Sequence, residues 1–195
     1  MIDAAKIVII GGGAIGCSIA YHLAHMGQRD VLLLERSALT HGATWHAAGL
    51  VGQLRSSRNL TRMMRHSVDL FGRLETETEV ATDWQAVGSL RLAASEARWL
   101  ELKRAHGQSQ AFGLEMALMG PNELKSLYPY LSTKGLMGGA YIPGDGQIDP
   151  NGLTQAYARG ARAGGVAIRE GVTVTRLAVK DGRITHVVTD HGSIK

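Results

Sequence analysis

The fold is decided by residues 6–35, which read KIVIIGGGAIGCSIAYHLAHMGQRDVLLLE. The continuous apolar run at residues 6–10 predicts a strand that is buried on both faces. Residues 14–26 then read as a helix, and Gly27 stands where a helix commonly ends. A second apolar run at Val31–Leu34 predicts another buried strand. Strand, helix and strand in this order indicate a βαβ unit.

Three glycines lie between the first strand and the helix at the G-x-G-x-x-G spacing: Gly11, Gly13 and Gly16. The first permits a tight turn, the second lets a pyrophosphate approach the backbone, and the third lets the helix pack closely on the sheet. Glu35 follows Gly16 by 19 residues, close to the spacing of about 20 expected for an acid that binds ribose hydroxyls. Such an acid disfavours a 2′-phosphate, so the motif predicts FAD or NAD rather than NADP. The alternative is a tight turn followed by an unrelated acid.

The composition limits the classes of protein to which the chain can belong. It has 195 residues, 45% of them hydrophobic and 19% charged, which is typical of a globular domain. The net charge is +4, but the basic residues are scattered, so we expect no nucleic-acid partner. The single cysteine, Cys17, excludes an internal disulfide, and no apolar run is long enough for a membrane span. His22 and His25 have no third ligand at metal-binding spacing, so no metal site is expected.

The rest of the chain alternates helical and strand patterns. Helices are predicted at 60–78, 96–111 and 150–163, and strands at 88–93, 114–119, 138–142, 166–169, 172–179 and 183–189. Asp149 precedes Pro150 as an N-cap, and Asp181-Gly182 fits a two-residue hairpin turn. On the first of these helices, one stripe is expected to face the core. Its members are Leu60, Met63, Met64, Ser67, Phe71 and Leu74.

A segment rich in small residues follows the βαβ unit. Residues 42–50 read GATWHAAGL. The glycines and alanines on both sides of Trp45 and His46 let the backbone lie against a flat ligand. Thr44 offers a hydroxyl and His46 a nucleophilic imidazole, although a lone histidine is more often structural than functional.

This segment carries a family resemblance. Together with Gly11–Gly16 and Glu35, the run Thr44–Leu50 resembles the sarcosine dehydrogenase and dimethylglycine dehydrogenase family of D-amino-acid-oxidase-like flavoproteins. Further similar stretches are Leu127–Pro129, Pro143–Pro150 and His191–Ile194, so the resemblance covers essentially the whole chain.

The resemblance implies that the cofactor is FAD and that His46 is bonded covalently to the 8α-methyl of the flavin. It implies oxidative N-demethylation of a small N-methylated amino acid such as a methylated glycine, and leaves the electron acceptor open. Folate is implied only if the full-length protein has the family's C-terminal region. The FAD-binding residues that it implies, including the motif glycines, are Gly11, Gly13, Ala14, Ile15, Gly16, Glu35, Arg36, Gly42, Ala43, Thr44, Trp45, His46, Ala47, Ala48, Gly49, Leu50 and Val174.

The catalytic groups are not assigned by the sequence. An amino-acid substrate needs a cation for its carboxylate, and a guanidinium can bind it with two hydrogen bonds. Arg55 is the best candidate because it lies close in sequence to the flavin segment. For Arg58, Arg62 and Arg65 we expect a solvated helix face. Asp145 and Asp149 are interpreted as a turn residue and an N-cap rather than as an acid–base pair.

The predicted fold class is α/β: a Rossmann-like FAD-binding domain with part of a mixed α+β substrate domain inserted. We assign residues 1–52 and 145–195 to the FAD-binding portion and residues 53–144 to the substrate or cap portion. Family members are several times longer, so we expect a fragment or a truncated reading frame without turnover of its own. Other amine or D-amino-acid-oxidase-like flavoenzymes, and a non-catalytic FAD-binding remnant, stay open as alternatives. The expected location is the cytoplasm, or the mitochondrial matrix if the protein is eukaryotic, and no transit peptide is present in this sequence.

Overall fold

The computed structural model of the chain describes residues 4–195 and divides into two compact units. The first contains the residues up to Gly49, Phe71–Asp83 and Ile148–Lys195. The second contains Leu50–Leu70 and Trp84–Gln147.

The first unit is built on a parallel sheet. Its strands are β1 (Ile7–Ile10), β2 (Val31–Leu34) and β8 (Ala167–Arg169), in the order β1-β2-β8. Ile7 pairs with Val31, and Leu32 pairs with Ala167. All four residues of β2 are buried, as its continuous apolar sequence predicted. The prediction of an α/β fold with a parallel sheet is therefore confirmed.

Two helices of the first unit pack closely against each other: α1 (Ala14–His25) and α5 (Pro150–Ala163). Glycine makes this approach possible, because a Cβ added to Gly160 would lie 2.6 Å from the ring of Tyr21. The predicted N-cap of α5 is present, since the Asp149 carboxylate accepts hydrogen bonds from the N–H groups of Asn151 and Gly152.

An antiparallel sheet completes the first unit. Strands β9 (Val174–Lys180), β10 (Arg183–Thr189) and β11 (Gly192–Ile194) lie in the order β11-β10-β9. Asp181 and Gly182 form the predicted hairpin turn, both with positive φ. Val187 and Ile194 of this sheet pack with Leu32 and Leu34 in one apolar cluster.

The second unit has its own sheet and core. Strands β4 (Ser89–Ala93), β6 (Gly138–Ile142) and β5 (Ala117–Met119) form an antiparallel sheet in the order β4-β6-β5. Helices α3 (Glu96–Phe112) and α4 (Pro121–Leu127) belong to this unit, as does the short antiparallel pair β3 (Leu50–Val51) and β7 (Gly146–Gln147). The buried core residues are Leu54, Ala93, Leu102, Leu114, Met116, Ala140 and Ile142.

Helix α2 (Arg58–Thr78) differs from its predicted packing. The expected stripe holds in its second half, where Phe71 and Leu74 are buried. In the first half it is wrong, because Leu60 and Met63 are largely exposed. The helix begins in the second unit and ends in the first, so no single face has the same surroundings along its whole length.

The compact units differ from the residue ranges predicted for the two portions. Residues 71–83 belong to the first unit, where the Tyr21 hydroxyl donates a hydrogen bond of 2.5 Å to Glu77. The predicted range 53–144 had placed them in the substrate portion. The unit boundaries fall at Gly49 and Ile148 rather than at residues 52 and 145. Within residues 4–195, no helix is long and apolar enough to cross a membrane.

Candidate dinucleotide-binding groove

A groove of about 580 Å³ opens in the first unit beside the glycine turn. We call it the glycine groove. It is formed by the end of β1, the first turns of α1, the residues after β2 and the segment that follows them. Its lining residues are Ile9, Ile10, Gly11, Gly13, Ala14, Ile15, Gly16, Ile19, Glu35, Arg36, Ser37, His41, Gly42, Ala43, Thr44, Ala47 and Pro150.

The glycine turn has the geometry that the motif predicted. Gly11 has φ +110°, a conformation that side chains rarely adopt, and an added Cβ there would meet nothing within 4 Å. At Gly16 the opposite holds, because a Cβ would lie 1.9 Å from the carbonyl oxygen of Gly11. The first glycine thus leaves open space beside the groove, and the last lets α1 start directly against the turn. The N-terminus of a helix is a favourable place for phosphate groups.

Glu35 is tied to the glycine turn. Its Oε2 accepts a hydrogen bond of 2.6 Å from the N–H of Gly12, and its Oε1 accepts one of 2.8 Å from the N–H of Ser37. Each carboxylate oxygen can accept more than one hydrogen bond. The side chain can therefore hold the turn against the end of β2 and still accept a ribose hydroxyl in the groove.

The segment after β2 turns back toward the start of α1. Residues Ala43–His46 form a single turn of 3-10 helix, and the Thr44 hydroxyl accepts a hydrogen bond of 3.0 Å from the N–H of Ala14. Gly49 ends the segment with φ +71°, and a Cβ there would lie 2.1 Å from the carbonyl oxygen of Ile148. Gly49 therefore serves a close backbone contact, whereas a Cβ added at Gly42 would meet nothing within 4 Å.

His46 lies at the end of the 3-10 turn and is exposed. Its side chain makes no hydrogen bond or ion pair with any described residue. Trp45 beside it is 70% exposed. Neither residue lines the glycine groove, whereas Gly42, Ala43, Thr44 and Ala47 of the same segment do.

The structure brings most of the predicted cofactor residues together. Those that line the groove are Gly11, Gly13, Ala14, Ile15, Gly16, Glu35, Arg36, Gly42, Ala43, Thr44 and Ala47. Those that do not are Trp45, His46, Ala48, Gly49, Leu50 and Val174. Leu50 pairs with Gln147 in the second unit. Val174 packs against the apolar cluster of the first unit.

Sequence reasoning missed an apolar rim of this groove. Ile10 and Ile19 line it beside Ile15, which was predicted as a cofactor residue, and the three are 53%, 45% and 78% exposed, respectively. Ile15 and Ile19 lie four positions apart and so share one face of α1, whereas Cys17 and Tyr21 are buried on the other face. That spacing was the signal available in the sequence. His41 was also missed, because no motif marked it.

Cys17 is a buried side chain on α1 and is not in a disulfide. Its Sγ lies 3.6 Å from the carbonyl oxygen of Gly12, and burial raises the pKa of the thiol to about 12. No group of three or more metal-binding side chains occurs among the residues that the structure describes.

Asp145 has a larger role than the predicted turn residue. It is fully buried in the second unit, where Oδ1 accepts the N–H of Gln53 at 2.8 Å and Oδ2 accepts the hydroxyl of Ser89 at 2.6 Å. The carboxylate therefore joins the segment before α2 to strand β4. A turn motif alone gives no information about the burial of its acid.

Arg55 lines a separate groove in the second unit, which we call the arginine groove. Its lining residues are Leu54, Arg55, Ser56, Arg91, Glu101, Arg104, Ala105 and Gln108. Arg55 is exposed and donates a hydrogen bond of 3.2 Å to the carbonyl oxygen of Leu54. Glu101, which also lines it, forms an ion pair of 2.6 Å with Arg98. Three guanidinium groups thus share the groove with one carboxylate that already has a cationic partner.

These features define the class of protein. A βαβ unit with a glycine turn, an open groove at the helix N-terminus and an acid at the end of the second strand belong to a dinucleotide-binding protein of the Rossmann type. The FAD dependent oxidoreductase family matches residues 6–195, and the chain belongs to this family. The residues of the groove fit FAD, because the turn leaves open space at Gly11 and the acid stands beside it.

Its relatives include amine dehydrogenases. The chain is 42% identical to dimethylglycine dehydrogenase of Rattus norvegicus over 193 residues, covering 99% of this chain and 22% of that protein. It is 40% identical to sarcosine dehydrogenase of Mus musculus over 197 residues, covering 98% of this chain and 21% of that protein. The predicted resemblance is therefore confirmed, and the chain spans about a fifth of the length of these relatives.

A solved structure has the same fold. L-proline dehydrogenase from P. horikoshii matches with a TM-score of 0.94 and 28% identity, over all of this chain and 51% of that one. The likeness includes the residues of both compact units.

Proposed function

We propose that the protein of which this chain is part binds FAD covalently through His46 and oxidises a small N-methylated amino acid such as a methylated glycine. One observation carries the proposal. A single segment supplies the wall of the glycine groove at Gly42, Ala43, Thr44 and Ala47, and carries an exposed imidazole with no hydrogen bond to the described residues. The identity to dimethylglycine and sarcosine dehydrogenases supports the choice of substrate class.

The residues of the groove suggest how the cofactor would lie. The N-terminus of α1 would face the pyrophosphate, and Glu35 would accept the ribose hydroxyls at the end of β2. The segment from Gly42 onward would then follow the flavin half. When bound, FAD would accept a hydride equivalent from the N-methyl carbon of the substrate, while the protein binds and orients both.

His46 is suited to attachment because its imidazole is accessible. The bond would join a neutral ring nitrogen of His46 to the 8α carbon of the flavin. One proton leaves the imidazole and one leaves the methyl group, and two electrons pass to an oxidant such as dioxygen. The tether would prevent loss of the cofactor from a groove that is open to solvent.

The arginine groove supports a site for the substrate carboxylate. Arg55 would bind the carboxylate, with Arg91 and Arg104 adding positive charge on the same wall. The test is Arg55→Gln in the full-length protein of which this chain is part, which should raise KM for the methylated amino acid about tenfold with a smaller change in kcat. Arg58→Gln, on the exposed start of α2, is the matched control. Equal KM values for the two variants would exclude this role for Arg55.

Flavin retention tests the tether. After acid precipitation and denaturing electrophoresis, the wild-type chain loaded with FAD should keep its flavin fluorescence. His46→Ala should lose it. His41→Ala is the control, because His41 lines the groove on the same segment. Flavin released into the supernatant from the wild-type chain, or retained by His46→Ala, would exclude the attachment.

A second candidate is an amino-acid flavoenzyme with a different substrate. The likeness to L-proline dehydrogenase favours it. Anaerobic bleaching of the flavin by sarcosine, dimethylglycine, glycine or proline would separate the candidates, and bleaching by none would indicate a non-catalytic FAD-binding protein. Folate binding is proposed only for a protein with the family's C-terminal region, and the proposed location is the cytoplasm or the mitochondrial matrix.

A further inference from the structure

The Thr44 hydroxyl meets the glycine turn at two points. Its Oγ1 accepts the N–H of Ala14 at 3.0 Å. The same oxygen would lie 2.9 Å from a Cβ added to Gly13. That distance is too short for a real Cβ, so an alanine at position 13 would push the Thr44 hydroxyl away.

The hydrogen bond replaces a helix cap. Ala14 is the first residue of α1, and its N–H has no partner within the helix. The N-cap residue usually accepts a hydrogen bond from the second or third helical N–H with its own side chain, but Gly13 holds that position and has none. Thr44, 30 residues further along the chain, instead supplies a side-chain acceptor for the first N–H of the helix.

The other hydrogen bonds of the segment that carries His46 are made by its backbone. Thr40 donates its N–H to the carbonyl oxygen of Gly12 before the segment, and Gly49 accepts the N–H of Ile148 after it. Among the described residues, the His41 and Trp45 N–H groups bond to the nearby carbonyl oxygens of Ala38 and Thr40. Thr44 makes the one hydrogen bond from residues 41–48 to a residue distant in the chain. Without it, the 3-10 turn that ends at His46 would keep only backbone hydrogen bonds to neighbouring positions.

We propose that Thr44 is the positioning residue for His46, and that position 13 is glycine because a side chain there would displace the Thr44 hydroxyl. The proposal rests on the proposed attachment of FAD to His46. Gly13, the second glycine of the motif, is then required by a contact within the protein as well as by the approach of a pyrophosphate.

The rate of covalent flavin incorporation tests the first part. The full chain is mixed with saturating FAD, so that the occupancy of the groove is equal in all variants, and acid-stable flavin is followed with time. Thr44→Val should slow incorporation about tenfold, the value expected for one lost hydrogen bond, while Thr44→Ser should stay within about twofold of wild type. Thr76→Val, on an exposed turn of α2, is the control. Equal rates for Thr44→Val and wild type would overturn the proposal.

A double-mutant cycle tests the second part. Gly13→Ala should slow incorporation about tenfold in the wild-type background, but less than threefold in Thr44→Ala, where the obstructed oxygen is gone. Equal effects in the two backgrounds would show that Gly13 is required for another reason.

Hydrogen exchange separates failure of this proposal from failure of the proposed function. If the wild-type chain acquires no covalent flavin, the attachment to His46 is excluded, and the positioning contact is then measured in the chain without FAD. The amide of Ala14 should exchange about tenfold faster in Thr44→Val than in Thr44→Ser. Equal exchange rates in the two variants would show that the Thr44 hydroxyl does not bind the Ala14 N–H in solution, which would overturn the proposal.

Discussion

Gly16→Ala should destabilise the first unit, and the structure allows its magnitude to be worked out. The new Cβ would lie 1.9 Å from the carbonyl oxygen of Gly11. An ordinary contact is about 3.5 Å, so the helix or the turn must move by about 1.5 Å. Overpacking of this kind costs about 3 kcal/mol. Alanine regains about 1 kcal/mol through its higher helix propensity, so the net loss of unfolding free energy should be about 2 kcal/mol.

Gly72→Ala is the matched control for this prediction. Gly72 lies inside α2, is exposed, and has nothing within 4 Å of an added Cβ. The same substitution there should raise the free energy of unfolding by about 1 kcal/mol. Urea unfolding should thus separate the two variants by about 3 kcal/mol, and thermal unfolding should lower the Tm of Gly16→Ala by about 4–8 °C relative to wild type. If Gly16→Ala were as stable as Gly72→Ala, the close approach of α1 to the glycine turn would not exist in solution.

Two further predictions concern α1. The hydrogen bond from the Tyr21 hydroxyl, with Arg73 beside it, lowers the pKa of the Glu77 carboxyl. The bond therefore stabilises the fold fully above about pH 5 and progressively less as the pH falls through the lowered pKa. Tyr21→Phe should lower the free energy of unfolding by about 1 kcal/mol at pH 7, a value reduced for the partial exposure of Glu77. At pH 3 the loss should be much smaller. An equal loss at both pH values in urea unfolding would contradict this. Cys17, whose pKa is raised to about 12 by burial, should react with iodoacetamide at pH 8 only in unfolded protein, and rapid modification of the folded chain would show that the thiol is accessible.

The sequence predicted the first unit best where local rules and tertiary packing agree. Residues 6–35 have a strand pattern, a glycine turn and a helix pattern that each point to the same βαβ unit, and the structure contains it. The rules fail where one element has two environments. Met63 belongs to the helical stripe of α2 by spacing, yet it is 64% exposed, because spacing does not tell which part of a helix has a packing partner.

The candidate site was predictable as a set of segments but not as a set of contacts. The spacing from Gly16 to Glu35 indicated an acid beside the turn, and the structure places it in the groove. The hydrogen bond from the Gly12 N–H to the Glu35 carboxylate could not be predicted, because every residue except proline has a backbone N–H and the sequence does not show which one is used. Asp145 shows the same limit. Its turn motif was recognisable, but its burial depends on Gln53 and Ser89, which lie far away along the chain.

The contacts of Glu35 and Thr44 with the glycine turn link the parts of this groove to one another. Gly12 and Ala14 are two residues apart, and their N–H groups are bound by Glu35 and by Thr44. One acceptor comes from the segment proposed to hold the ribose, and the other from the segment proposed to hold the flavin. Any displacement of the turn must therefore move both ends of the proposed cofactor site together, and any side chain that disturbs either acceptor acts on the turn that would receive the pyrophosphate.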